Sequence, residues 1–413
     1  MSESGREVRE RDAIEFVLEL GGALHALGHP SHWLEEGMQR AAERLGLRGQ
    51  FFTTPTSIFA AFGEQREQRT WLLRVEPGDV HLERLSAVID TGRDVLAGRT
   101  TPAEGTAALR AILAAPPRWN ALFTTLAFAL SGAAAGRFLG GGAREVVCAA
   151  ALGLVLALLA RLAAGSRALA RMLEPIAAFL VSAAAAAIAH FLSLSSYVAT
   201  LAAILVLLPG LTLTTAMAEL SSQHLVSGTA RLTGAGARFL GLAFGVAMGV
   251  RVAALLVGPD AAVTPQPLPA WSEWPALLAA PLAFTVLLRA RPRDYPWILA
   301  VGVLAFLAGR WATSGFGSEL GAFVGALVAA VLSNVLARRR GGSPATTLVP
   351  AILLLVPGSI GFRSLTLLMN RNVQSGVESA FRMMTLIAAL VTGLLTAGVV
   401  APAPSLAGDE PTP

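Results

Sequence analysis

The stretch Leu205–Arg231 reads LVLLPGLTLTTAMAELSSQHLVSGTAR: an apolar run enters Pro209-Gly210, and Ser227-Gly228 follows. The same order returns further on, where Leu353–Val356 enters Pro357-Gly358 and Ser375-Gly376 follows. Both dipeptides recur at one offset of 148 residues, without a gap. A repeat of this kind in apolar sequence predicts a duplicated membrane unit.

The surrounding composition agrees. Of 413 residues, 54% are hydrophobic and only 14% charged, too few charges to solvate the surface of a soluble protein. A purely soluble enzyme is excluded on that ground. The net charge is +5, carried entirely by Arg on the basic side. These Arg residues sit in short links between apolar segments, a topology pattern rather than a nucleic-acid surface, so no nucleic-acid partner is expected. Cys148 is the single cysteine, which rules out a disulfide framework or a cysteine zinc site within one chain. MSESGREVRERD has no apolar core of a signal peptide, so the first span is expected to act as the insertion signal.

About ten spans are predicted, near 119–139, 145–162, 173–192, 196–219, 232–257, 275–290, 295–312, 318–337, 344–370 and 376–400. The sixth and seventh are short enough to read alternatively as one re-entrant unit. The proline-rich link Gly258–Ser272 divides the set in half. The expected organisation is a small cytoplasmic α+β domain (1–117), a first five-helix repeat (118–258), a second (259–402) and a short tail (403–413). Links on the expected inner side carry Arg161, Arg167, Arg171, Arg231, Arg238, Arg289, Arg291, Arg293, Arg338, Arg339 and Arg340; the outer ones carry Arg137, Arg144, Arg310 and Arg371. That bias predicts both termini inside. Five spans per half make the second repeat inverted, an architecture of secondary transporters.

In lipid a Pro-Gly break must be covered by protein or line a wet cavity. The freed amides of the following half-helix suit a carboxylate, and freed carbonyls suit an ammonium group. Two opposed breaks therefore predict a site for a small zwitterion. Glu219 follows the first break, with Thr212, Thr214 and Thr215 between; Arg363 follows the second, beside Ser364. An ionisable group in a span usually faces a cavity or a partner.

Before the spans, helices are expected over 12–27, 31–45 with Ser31 as N-cap, 81–97 and 102–113, and strands over 50–54, 57–62 and 70–75, with a Pro77-Gly78 turn. His25, His29 and His32 cluster near Glu35 and Glu36. The motif is too weak for a metal assignment, since Pro30 and Ser31 interrupt the helix, and no metal or cofactor is expected. Thr53-Thr54-Pro55-Thr56-Ser57 reads as strand and turn.

The first stretch, the second signature VPAILLLVPGSIGFRSL (Val349–Leu365), and LGGALHALGHPSHWLEEGMQRAAERLGL with TTPTSI near the start together resemble the threonine/serine exporter family. The resemblance implies a ten-helix inner-membrane carrier, not an enzyme, that exports threonine and serine on the proton gradient. It carries over Pro209, Gly210, Glu219, Ser227, Gly228 and Arg231 from the first signature, and Pro357, Gly358, Gly361, Arg363 and Ser364 from the second. Two positions depart: Ala218 stands where the family often has a basic residue, and Thr214 or Thr215 where it often has asparagine. A related two-subunit branch exports dicarboxylates, and the chain resembles its two subunits fused. The expected partners are a small substrate, protons and the bilayer, with self-association allowed. An enzymatic or metal-sensing N-terminal domain is the alternative of another class.

Overall fold

The computed structural model describes residues 3–404 except 65, 77, 79, 260–262, 357, 370 and 371. Pro77, Pro357 and Arg371 thus lie outside the described residues. The chain opens with α1 (Glu3–Ala26) and α2 (Ser31–Arg44), then a three-stranded antiparallel sheet of β1 (Gly49–Thr54), β2 (Ser57–Phe62) and β3 (Arg69–Arg74) in the order β1-β2-β3. Helices α3 (Leu82–Leu96) and α4 (Pro102–Ala114) complete this N-terminal region. Phe16, Leu20, Leu24, Leu34, Met38 and Ile58 fill its core, the buried face of each amphipathic element. The start of α4 is fixed by a capping box between Thr101 and Glu104. Ser31 departs from the expectation. Pro30 occupies the cap position, and Ser31 is the first helical residue.

Ten apolar segments follow: α5 (Ala121–Phe138), α6 (Ala143–Ala163), α7 (Arg167–Leu192), α8 (Ser196–Ile204) bent into α9 (Gly210–Ser221), α10 (Leu225–Val257), α11 (Glu273–Leu287), α12 (Tyr295–Phe316), α13 (Ser318–Arg340), α14 (Ala345–Leu355) running into α15 (Gly358–Met369), and α16 (Val373–Val400). Among the described residues eight spans are long and apolar enough to cross a membrane, or nine with the bent α8–α9 pair. The segment that falls short is α11, whose 15 residues reach only about 22 Å at helical rise, against about 30 Å of hydrocarbon. It is a helix separate from α12, not one re-entrant unit with it.

The packing repeats at the offset seen in the sequence. In the first half the third helix, α7, lies along the fifth, α10; in the second, α13 lies along α16. A Cβ on Gly245 would sit 2.4 Å from the carbonyl oxygen of Pro175 and 3.0 Å from the Ala178 Cβ. A Cβ on Gly393, 148 residues later, would sit 2.4 Å from that of Phe323 and 3.1 Å from the Ala326 Cβ. Between apolar helices in lipid, small residues allow this approach and dispersion rewards it.

The segment ends sort onto two faces. Against the N-terminal region lie the start of α5 (Trp119 Nε1 to the Ala290 carbonyl, 2.9 Å), the α9–α10 link, the α11–α12 link (Leu82 N–H to the Leu288 carbonyl, 3.0 Å) and the α13–α14 link (Arg93 to the Gly342 carbonyl, 3.0 Å). The opposite face holds Arg137 on Ser272, Arg144 on the Leu192 carbonyl, and Glu145 accepting from the Ser195 amide at 2.8 Å.

Gly249 tests this packing, since its Cβ would lie 2.1 Å from Ser182 Oγ and 2.3 Å from the Phe179 carbonyl oxygen. Gly249→Leu should separate α7 from α10 and cost on the order of 1–3 kcal/mol as overpacking, read as a lowered melting temperature of the purified protein in detergent.

Candidate functional site

Proline forces the residue before it out of the α region, because its Cδ crowds that residue's backbone. Leu208 before Pro209 has φ −65° and ψ 131°; Val356 before position 357 has φ −68° and ψ 130°. Two residues 148 apart thus break their helices with one geometry. At the first break a 3₁₀ turn, Leu205–Leu207, leads to a bend of 52° between α8 and α9.

The breaks meet. A Cβ built on Gly210 would lie 2.4 Å from Val356 Cγ1 and 3.9 Å from the Gly358 Cα; one built on Gly358 would lie 3.5 Å from the Leu208 Cβ. Each break is therefore roofed by the other, in van der Waals contact. Thr214 is buried and donates to the Gly210 carbonyl at 3.1 Å, satisfying one group near the break. Thr212 and Thr215 are half-buried on α9.

From the breaks the two half-helices run apart. α9 runs toward the N-terminal region, carrying Glu219 with it, while α15 runs toward the opposite face with Arg363, which is exposed. Gly361 packs against the Met383 side chain, and Ser364 donates to the Gly376 carbonyl at 2.6 Å. Gly228, 148 residues before Gly376, lies against the Ala216 carbonyl in the same way; a Cβ there would be 2.9 Å from that oxygen.

Glu219 is fully buried. Its Oε1 accepts from the Ser31 backbone N–H at the first turn of α2, 2.9 Å away, and from Arg231 Nε at 3.1 Å. Arg231 Nε is also 3.0 Å from Oε2, an ion pair on the atom that has no hydrogen bond among the described residues. The contact is electrostatic at both oxygens, with hydrogen-bond geometry at only one. Ser31 Oγ donates to Ser227 Oγ at 2.9 Å, and Ser227 Oγ donates to the Thr53 carbonyl at 2.8 Å. Glu35 accepts from the Thr53 N–H and hydroxyl and lies 3.2 Å from His224 Nε2. The first signature thus joins the N-terminal region residue by residue. This is also why Ser31 does not cap its own helix: both its donors are given to α9 and α10.

The matching sequence models cover nearly all of this architecture. One, described as "Putative threonine/serine exporter", matches residues 15–253; another, described as "Threonine/Serine exporter, ThrE", matches residues 276–400. The chain belongs to the threonine/serine exporter family. Among curated relatives, an uncharacterized protein of Schizosaccharomyces pombe is 24% identical over 89% of this chain and 49% of its own length. Pheromone-regulated membrane protein 10 of Eremothecium gossypii is 25% identical over 93% and 53%, and that of Saccharomyces cerevisiae is 25% identical over 88% and 48%. The chain spans about half the length of the curated relatives it matches. No solved structure matches it.

Within this exporter-family fold the N-terminal histidines take separate roles. His25 Nε2 pairs with the Thr54 carbonyl at 2.7 Å, and the His32 ring lies 6.0 Å from that of His224. Among the described residues no group of His, Cys, Asp and Glu is arranged to hold a metal ion. Residue spacing did not point to His224 or Glu35 as interface residues; the polar run Ser221–His224 between two apolar segments was the available signal.

Burial lowers His29 to about 4, and burial together with the charges of His224 and His29 lowers His32 to about 4, both from 6.5. Each is held neutral in the folded state and takes up a proton more readily when exposed, so stability is present above pH 6.5 and is lost as pH falls toward 4. Thermal unfolding followed from pH 7.5 to 4.5 should show this loss. His32→Asn should flatten the slope.

Proposed function

We propose that this membrane exporter carries small amino acids, threonine and serine, by alternating access between two inverted halves, coupled to the proton gradient. The observation that carries the reading is the meeting of the two breaks. Two half-helix N-termini with matched backbone, one from each half, form a closed seam that would open into a zwitterion site when the halves rock apart. The inverted relation follows from five segments per half and from the recurrence of the α7–α10 contact in α13–α16. The organisation into an N-terminal domain to residue 117, repeats over 118–258 and 259–402 and a tail from 403 belongs to the same reading.

The face bearing the N-terminal region is the inner one, because the Arg-rich links gather there and positive charge is retained inside. Both termini are then cytoplasmic, and in a bacterium the membrane is the inner membrane. The state described is closed on that side: α2 seals the end of α9 through Glu219. A proton on Glu219 would remove the charge that Arg231 and the Ser31 amide hold, and so release the seal. Glu219 is thus the coupling group; Ser227, Gly228 and Arg231 are parts of the inner gate; Pro209, Gly210, Pro357, Gly358 and Gly361 shape the central seam. Thr212, Thr214 and Thr215 line the half-helix between seam and gate. Arg363, with Ser364 beside it, receives the substrate carboxylate on the outer side. Dicarboxylate export draws less support, since it needs Arg231 free for a second carboxylate and Arg231 is engaged by Glu219.

In proteoliposomes, Glu219→Gln should abolish pH-gradient-driven threonine flux; wild-type rates would remove its coupling role. Gly210→Val places side-chain atoms where Val356 Cγ1 now sits, and should reduce flux at least tenfold while the protein still inserts. Succinate should not compete with threonine.

A further inference from the structure

A cavity of about 250 Å³ lies away from the seam and the gate, at the junction of α3 with the α11–α12 link, the end of α13 and the start of α14. Its lining is polar and of mixed charge: Arg291, Arg293 and Arg340 with Asp90 and Asp294. Hydroxyls surround them, from Ser86, Ser333, Ser343, Thr346 and Thr347. Several of these groups are held in place. Ser86 Oγ pairs with Thr346 Oγ1 at 2.9 Å, Thr347 donates to Ser333 Oγ at 2.8 Å, and the Arg340 guanidinium lies 4.3 Å from the centre of the Trp297 ring. The walls come from the N-terminal region and the second membrane half together.

We infer that this cavity is a second, regulatory site for a small zwitterionic amino acid, separate from the transport path. The volume is below the range usual for drug-sized ligands, which excludes nucleotides and favours a metabolite of a few heavy atoms. Both signs of charge are needed to explain the ligand. A phosphate would meet two carboxylates, whereas a zwitterion gives its carboxylate to the Arg side chains and its ammonium to Asp90. Asp90 is partly buried, and Arg93, Arg291 and Arg293 all act on it, so an ammonium approaching it displaces no solvent-exposed ion. The hydroxyls suit a hydroxylated side chain. Because α3 closes one wall and the α13–α14 link another, a ligand here strengthens docking of the N-terminal region and so biases the gate; by linkage, the gate biases its affinity. That the ligand is also the cargo rests on the proposed export function, but the site does not.

The test is titration of the full chain in detergent with threonine, inorganic phosphate and succinate. It uses the Arg363→Gln background, which weakens the proposed transport site. Threonine should bind, and Asp90→Asn and Arg293→Gln should each weaken that binding at least tenfold, with phosphate failing to displace it. Absence of threonine binding, binding indifferent to both substitutions, or displacement by phosphate would each overturn the proposal. Flux in proteoliposomes separates the two readings. Asp90-dependent binding without threonine flux keeps the site and removes amino-acid export; flux with Asp90-independent binding does the reverse.

Discussion

A proline within a membrane span removes a backbone donor and leaves carbonyls that lipid cannot satisfy. One break of this kind can hide against neighbouring helices. Here there are two, 148 residues apart, and each is the cover of the other: Gly210 against Val356 and Gly358, Gly358 against Leu208. The rest of the membrane region follows from keeping those two breaks apposed. The tight α7–α10 and α13–α16 pairs, built on Gly245 and Gly393, make each half a firm block that can present its break at one depth.

The second constraint is a buried charge. A carboxylate taken from water costs several kcal/mol unless it is paired. Glu219 meets this cost with Arg231 from the next helix and with the first-turn amide of α2 from a different region of the chain. The α2 amide is part of the positive end of a helix, which suits an anion. Glu219 is therefore both the end of the half-helix that begins at the break and the anchor of the N-terminal region.

Much of this was legible in the residues. The repeat, the number of apolar segments and the strands around Pro55 could be read because periodicity and proline chemistry are local. The extended backbone before each proline follows from the dipeptide alone. What could not be read was pairing over long separations. Ser31 has the sequence signs of an N-cap, yet its donors serve Glu219 and Ser227, and nothing within a few residues of it records that. Glu219 and Arg363 looked like two walls of one site because each follows a Pro-Gly. Inversion of the halves sends α9 and α15 in opposite directions, so the two residues stand at opposite ends. The shortness of α11 was harder still, since its hydropathy is as high as that of its neighbours and only its length sets it apart.

The N-terminal region is fastened to links from both halves: to α9–α10 through Ser31, to α11–α12 through Leu82, and to α13–α14 through Arg93. A clamp spanning two moving bodies converts their independent wobble into one shared motion. Loosening any single fastening leaves the others holding, so the inner mouth should behave as a ratchet with two positions and little population between them.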